Sequence, residues 1–225
     1  MSRRPRKRHP LRNIILIVCI FTAVFWLWPE HVTIVPPEGA PAATANNSDW
    51  NLTLVNKSYG LPEGYTFSLA HARDGVRVDR RIARELSRML DDAEAQGYEV
   101  HLNAGYRTSD EQRQLFEEKQ NAFRANGYDD LTAQALAAQW VSPPGASEHE
   151  LGLAVDIGTE TTALYDWLAA ESWRYGFIRR YPPDKTDITG VAHEPWHFRY
   201  VGKEAAAAMA SQNLCLEEYV NQQDE

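Results

Sequence analysis

The sequence predicts an α+β domain, a small and mainly antiparallel sheet with flanking helices. Three observations carry that expectation. Apolar residues recur at helical spacing, most clearly Val78, Ile82, Leu86, Met89, Leu90 and Ala93. Short alternating or continuous apolar runs at residues 98–102, 153–157, 177–178 and 198–201 read as strands. Glycine and proline punctuate the junctions, at Gly97, Gly127, Pro143, Pro144 and Gly176.

The first 48 residues stand apart from that domain. Residues 1–12 form a basic head that carries Arg3, Arg4, Arg6, Lys7, Arg8 and Arg12 and no acid. Residues 13–28 (NIILIVCIFTAVFWLW) are uncharged and hold Trp26 and Trp28 at their outer end. As a helix they span about 24 Å. That is slightly short of a hydrocarbon core of about 30 Å, a gap that flanking residues and local thinning can cover. The expected arrangement is one N-terminal transmembrane helix through the cell membrane, with the basic head in the cytoplasm and the following domain outside. A cleaved signal peptide is the runner-up, although the small residues at 40–45 that would be cut lie awkwardly far beyond the apolar run. Residues 29–48, with Pro29, Pro36, Pro37 and Pro41, read as a flexible linker.

Residues 49–225 form the expected globular domain. All 31 acidic residues of the chain lie beyond residue 12, against 17 of the 23 basic ones, so the domain repels polyphosphate and no nucleic-acid partner is expected. The periodic run from Val78 to Ala93 predicts its first helix, stopped by Gly97. Residues 98–102 give a strand and 105–108 a turn. Ser109 is the expected cap of the next helix, with Gln112 as its capping-box partner. Leu115, Phe116 and Phe123 give that helix an apolar-leaning face, and Gly127 ends it. A shorter helix is expected at 131–140, and Pro143, Pro144 and Gly145 then break the chain before the strand at 153–157. A helix at 162–175, strands at 177–178 and 198–201, and an alanine-rich helix at 203–212 complete the set.

Two polar segments interrupt this pattern. Ser147-Glu148-His149-Glu150-Leu151-Gly152-Leu153-Ala154-Val155-Asp156 sets an imidazole and a carboxylate seven residues apart. An odd offset on a straight strand puts side chains on opposite faces. His149 and Asp156 therefore converge only if the chain turns between them, which Gly152 permits. In Glu194-Pro195-Trp196-His197, Pro195 bars a shared helix, and the segment reads as a loop entering a strand. Two imidazoles and one carboxylate make a catalytic zinc set with a fourth position left for water. The two cysteines, Cys19 and Cys215, are too few for a thiolate-rich structural site. Glu194, beside a ligand without being one, is the candidate base for a water molecule attacking an amide. Either half alone is more often a surface or hydrogen-bonded pair than a site. Both together, each with its turn residue, point to one zinc ion per chain.

These segments closely resemble the D-alanyl-D-alanine carboxypeptidase family of zinc peptidases, the vancomycin-resistance type, and its L,D-carboxypeptidase relatives. The resemblance rests on S-x-H-x-x-G-x-A-x-D at 147–156, Glu194-Pro195-Trp196-His197-Phe198-Arg199-Tyr200-Val201-Gly202, Gly105-Tyr106-Arg107-Thr108, Gly176-Phe177-Ile178-Arg179-Arg180-Tyr181-Pro182 and Thr189-Gly190. They stand in the family's order across roughly residues 54–219. The resemblance implies a hedgehog-like or D-Ala-D-Ala-peptidase-like fold. It implies that His149, Asp156 and His197 bind zinc and that Glu194 is the general base and later the acid. Arg107 would contact the substrate's terminal carboxylate or the developing oxyanion, and Gln112 and Ser147 would line the substrate pocket. The implied reaction removes the C-terminal D-alanine, across a D,D or an L,D bond, from peptidoglycan stem peptides. Thr108 and His193 depart from the family pattern, where serine and tyrosine are commoner, and neither removes a ligand. Two other readings stay open: a peptidoglycan endopeptidase of the same fold, and a non-catalytic zinc-binding module that recognises the wall. Retention of Glu194 argues against the second.

Overall fold

The computed structural model of the chain describes residues 31–33, 49–159 and 161–223. The basic head, the expected anchor and most of the expected linker lie outside the described residues. Among the described residues no helix is long and apolar enough to cross a membrane.

Two antiparallel sheets organise the domain. The smaller pairs His31–Thr33 (β1), Thr66–His71 (β2) and Arg77–Asp79 (β3) in that order. Three residues of the expected linker thus join β2. Helix α1, Ala83–Ala95, buries Leu86, Met89, Leu90 and Ala93. The helical spacing read from Val78 onward overruns this helix. Val78 belongs to β3 and Ile82 to the turn before α1, yet both are fully buried in the same core as the helix. Their spacing reflects a shared destination rather than a shared element.

The larger sheet takes strands His101–Ala104 (β4), Ala154–Gly158 (β5), Phe177–Tyr181 (β6) and Glu194–Tyr200 (β7) in the order β4-β5-β7-β6. Every pairing is antiparallel. Val155 and Ile157 of β5 and Phe198 of β7 pack into the main core with α1 and with Leu164 and Leu168 of helix α4, Thr162–Glu171. Burying side chains of this size contributes roughly 1.5–3 kcal/mol each. Because side chains alternate along a strand, Asp156 leaves β5 on the face opposite Val155 and Ile157. One face of the sheet is thereby core, and the other is free for chemistry.

The remaining helices border that free face or close the far end. Ser109–Ala125 (α2) and Asp130–Ala137 (α3) pack against each other. Thr186–Thr189 (α5) is a single turn. Lys203–Gln212 (α6) and Leu216–Gln223 (α7) form a second, smaller core with Leu54, Ile178 and Val201. The expected helix at 162–175 tightens into a 3-10 turn over Ser172–Tyr175 before Gly176 ends it.

Candidate metal centre

The two halves of the sequence pattern meet on the free face of the larger sheet. Asp156 of β5 and His197 of β7 are direct cross-strand partners, which sets their side chains next to each other. Glu194 and His197 lie three residues apart on one strand, an offset that would separate them on a regular ladder. A register shift in the β6–β7 pairing, where Tyr181 faces Glu194 and Arg179 faces Phe198, bulges β7 between them. Pro195 sits in that bulge, where its missing N–H interrupts nothing. The expected loop is therefore strand from Glu194 onward, and the bulge does the re-aiming that a loop was expected to do.

His149 reaches the same point from a buried 3-10 turn, Glu148–Leu151. The turn ends at Gly152 with φ of 69°. A side chain at Gly152 would come within 2.8 Å of Phe67 Cε2 and 2.9 Å of Asp79 N, so only glycine fits. His149 Nδ1 donates to Gly105 O at 2.7 Å. A carbonyl can only accept, so that nitrogen carries the ring proton and Nε2 presents its lone pair.

His149 Nε2 and His197 Nδ1 lie 3.4 and 3.2 Å from the same oxygen, Asp156 Oδ1. The three ligand atoms all fall within 4.8 Å of one another. Asp156 Oδ1 is buried and accepts no hydrogen bond of normal geometry, although both imidazoles stand close to it. Neither ring nitrogen is aligned on the oxygen, so the three atoms stand together without a hydrogen bond among them. A buried carboxylate oxygen left in that condition is costly. A borderline-soft divalent cation, zinc foremost, suits two imidazole nitrogens and one carboxylate oxygen. The other carboxylate oxygen, Oδ2, accepts from Arg107 Nη2 at 2.8 Å.

Charge is distributed unequally around that point. Burial would raise the Asp156 pKa, but His149, His197 and Arg107 together hold it well below the ordinary carboxylate value. Burial, followed by the positive charge of Arg107, lowers His149 to about 4. Burial alone would lower His197 too, but the carboxylates of Asp156 and Glu148 beside it push it up to about 9. The carboxylates that favour a proton on His197 favour any cation in its place. Glu194, its Oε2 3.7 Å from His197 Nδ1, is pushed up to about 7, mainly by burial.

A cleft of about 210 Å3 opens over these groups. That is below the ~300–1,000 Å3 of sites for drug-sized ligands and suits the small end of a chain. Arg107, Gln112, Ser147, His149, Asp156, Glu194 and His197, every site residue expected from the sequence, line it. Gln112 arrives there for a reason other than the expected one. The cap of α2 is Thr108 and its reciprocal partner Glu111, so the amide of Gln112 is free to turn inward. It donates through Nε2 to Ser142 O at 2.7 Å and accepts from Arg107 Nη1 at 3.3 Å. Trp196 also lines the cleft. His193 instead directs Nδ1 to Tyr181 O at 2.9 Å. The sequence reading assigned no role to Glu148, Trp140 or Tyr181, which border the cleft as well. Glu148 and Tyr181 lie in quoted motifs and Trp140 at the end of an expected helix, but neither kind of signal says which way a side chain turns.

A family model described as D-alanyl-D-alanine carboxypeptidase matches residues 75–203. A D-alanyl-D-alanine carboxypeptidase of Enterococcus faecalis is 47% identical over 194 residues, covering 82% of this chain and 72% of that protein. The solved structure of VanYB in complex with D-Alanine-D-Alanine is similar with a TM-score of 0.75 and 47% identity, covering 76% of this chain and 98% of that one. A variant of the vancomycin resistance D,D-pentapeptidase VanY from the VanB-type cassette, solved in complex with Zn(II), gives a TM-score of 0.73 at 47% identity, over 76% of this chain and 99% of that one.

Proposed function

The chain belongs to the D-alanyl-D-alanine carboxypeptidase family and is a D,D-carboxypeptidase of that kind, and from this premise we propose that it removes the terminal D-alanine of peptidoglycan stem peptides using zinc held by His149, Asp156 and His197. The observation that carries this reading is the buried, unsatisfied Asp156 Oδ1, with two imidazole ring nitrogens beside it. Zinc bound there would lower the pKa of a water molecule to about 7 and polarise the scissile carbonyl.

The remaining work falls to the chain's own groups. Glu194 takes a proton from the attacking water and returns one to the departing amine nitrogen, so that one amide and one water give an acid and an amine. A pKa near 7 suits a group that must both accept and donate at neutral pH. Arg107 has five N–H donors; Asp156 and Gln112 engage two of its nitrogens. Its other donors remain for a planar carboxylate, the group that ends a stem peptide. That preference, with the small cleft, favours a carboxypeptidase over an endopeptidase.

The proposed setting is the outer face of the cell membrane, where peptidoglycan lies. It is supported by the basic residues 3–12 followed by the uncharged run 13–28. Protease protection in intact cells and in spheroplasts tests the orientation. The reaction is tested by incubating the full-length chain with peptides ending in D-Ala-D-Ala, with and without a chelator, and reading products by mass spectrometry. Zinc-dependent loss of one D-alanine is expected; intact peptide in both arms would sink the reading.

A further inference from the structure

Beneath the metal centre lies a charge cluster that the proposed reaction leaves without a task. Arg180 and Arg199 are completely buried, and Glu148 and Glu217 nearly so. Glu148 Oε1 accepts from Arg180 Nε at 2.7 Å and from Arg199 Nη1 at 2.9 Å. The outer nitrogens of Arg180 donate to both oxygens of Glu217 on α7, at 2.8 and 2.6 Å. Arg199 Nη2 donates to the carbonyls of Asn51 and Thr53. Two guanidinium groups and two carboxylates sum to zero, so the cluster as a whole carries no net charge.

One oxygen of Glu148 escapes this arrangement. Oε2 accepts no hydrogen bond from either arginine and stands 3.4 Å from Nε2 of His197. That is longer than an ordinary hydrogen bond, and a shift of a few tenths of an ångström closes it. A carboxylate can only accept, so His197 must carry its proton on Nε2. Once a cation takes the place of its second proton, the lone pair is on Nδ1, the atom beside Asp156 Oδ1. The two ligand histidines thus present opposite ring nitrogens, His149 fixed by a backbone carbonyl and His197 by a side chain.

We propose that Glu148 is a positioning residue of the metal centre, accepting from Nε2–H of His197 to fix its tautomer and ring orientation while Arg180 and Arg199 hold the carboxylate still. This rests on His197 being a metal ligand. A bland alternative makes Glu148 merely the anion that neutralises two core arginines, with its approach to His197 incidental. The two differ in what Glu148→Gln does. Both arginines are donors and require the amide oxygen, which turns the amide NH2 toward His197. Two donors then face each other, and His197 relieves the clash by moving its proton to Nδ1, the ligand atom.

The test uses the full-length chain, zinc titrated in competition with a chromophoric chelator, and nitrogen-15 spectra of labelled histidine. In the native zinc-loaded chain the one His197 proton is expected on Nε2. Glu148→Gln, with an unchanged circular dichroism spectrum, is expected to lose roughly 10–100-fold in zinc affinity and to move the proton to Nδ1. Affinity within two-fold of the native chain overturns the proposal and leaves the ligand assignment intact. A native chain that binds no zinc defeats both. Should Glu148→Gln fail to fold, the native zinc-loaded chain decides: a His197 proton on Nε2 that is protected from exchange supports the role, and a proton on Nδ1 overturns it.

Discussion

Two groups of buried charge flank His197, and they are finished to different degrees. On one side, Glu148, Arg180, Arg199 and Glu217 engage one another and three backbone carbonyls. On the other, Asp156 Oδ1 is buried without a hydrogen bond and Glu194 is pushed up to about 7 by burial. Taking charge out of water costs several kcal/mol per ion unless geometry compensates. The arginine cluster compensates internally, so it serves as framework. The metal centre leaves the cost standing, so it gains from a bound cation. Rigidity and reactivity are thereby separated by the width of one imidazole.

The largest expected effect lies on the unfinished side. Glu194→Gln keeps the shape and removes the proton acceptor, so kcat is expected to fall by roughly 10²–10⁴-fold. Zinc content, read by metal analysis, should hold. A variant retaining most of its kcat would assign proton transfer to another group.

On the finished side, the expected loss is in stability. Arg180→Met strips Glu217 of both its hydrogen-bonding guanidinium nitrogens and leaves Glu148 with one arginine. Breaking a buried pair from one side costs about 3–5 kcal/mol, to be read from urea unfolding. A loss below about 1 kcal/mol, the range of a surface pair, would mean that the cluster is wetter than its burial indicates.

A smaller effect distinguishes the two sides by sign. Burial would raise the Glu148 pKa, but Arg180 and Arg199 hold it below its ordinary 4.5. Its contribution to stability is present above that value and is lost as pH falls below it. Burial places Glu194 at about 7 instead. Its ionisation therefore destabilises the fold increasingly from about pH 4.5 to 7, and constantly above. In chelator-treated protein Glu194→Gln should raise Tm at pH 8 and change little at pH 4. Glu148→Gln should lower Tm at pH 8 by more than at pH 3. Parallel profiles for the two variants would erase the distinction.

Much of the metal centre was legible because its parts are local signals. His149 and Gly152 share one turn, Asp156 sits in the middle of the strand after it, and Glu194 and His197 share one strand. What the sequence could not supply was the pairing register. The bulge that turns Glu194 and His197 to one face depends on β6, which is contributed from residues 177–181. The arginine cluster was hidden for the same reason: Arg180 and Arg199 sit in strands whose alternation does not say which face is core. The strand β3 was missed because its Val78 lies at helical spacing from residues that are in α1. At α2 the pattern was displaced by one residue. Ser109 and Gln112 have the right types and spacing for a capping box, but so do Thr108 and Glu111, and only the backbone chooses between them.

That displacement gives the smallest expected effect. Thr108 Oγ1 accepts from Glu111 N at 3.2 Å, and Glu111 Oε2 accepts from Thr108 N at 2.7 Å. Thr108→Ala should cost about 1 kcal/mol. In a double-mutant cycle with Glu111→Ala the two losses should fall short of additive, because each residue serves the other. Ser109 is a poor control, since its hydroxyl donates to Glu150 Oε1 at 2.6 Å and its removal costs something unrelated to the cap. The cap also holds the first turn of α2, from which Gln112 reaches Arg107 and Ser142. A loosened turn should therefore raise KM modestly and leave kcat near its native value. Additive stability losses with an unmoved KM would separate the cap from the cleft and return Gln112 to a merely structural place.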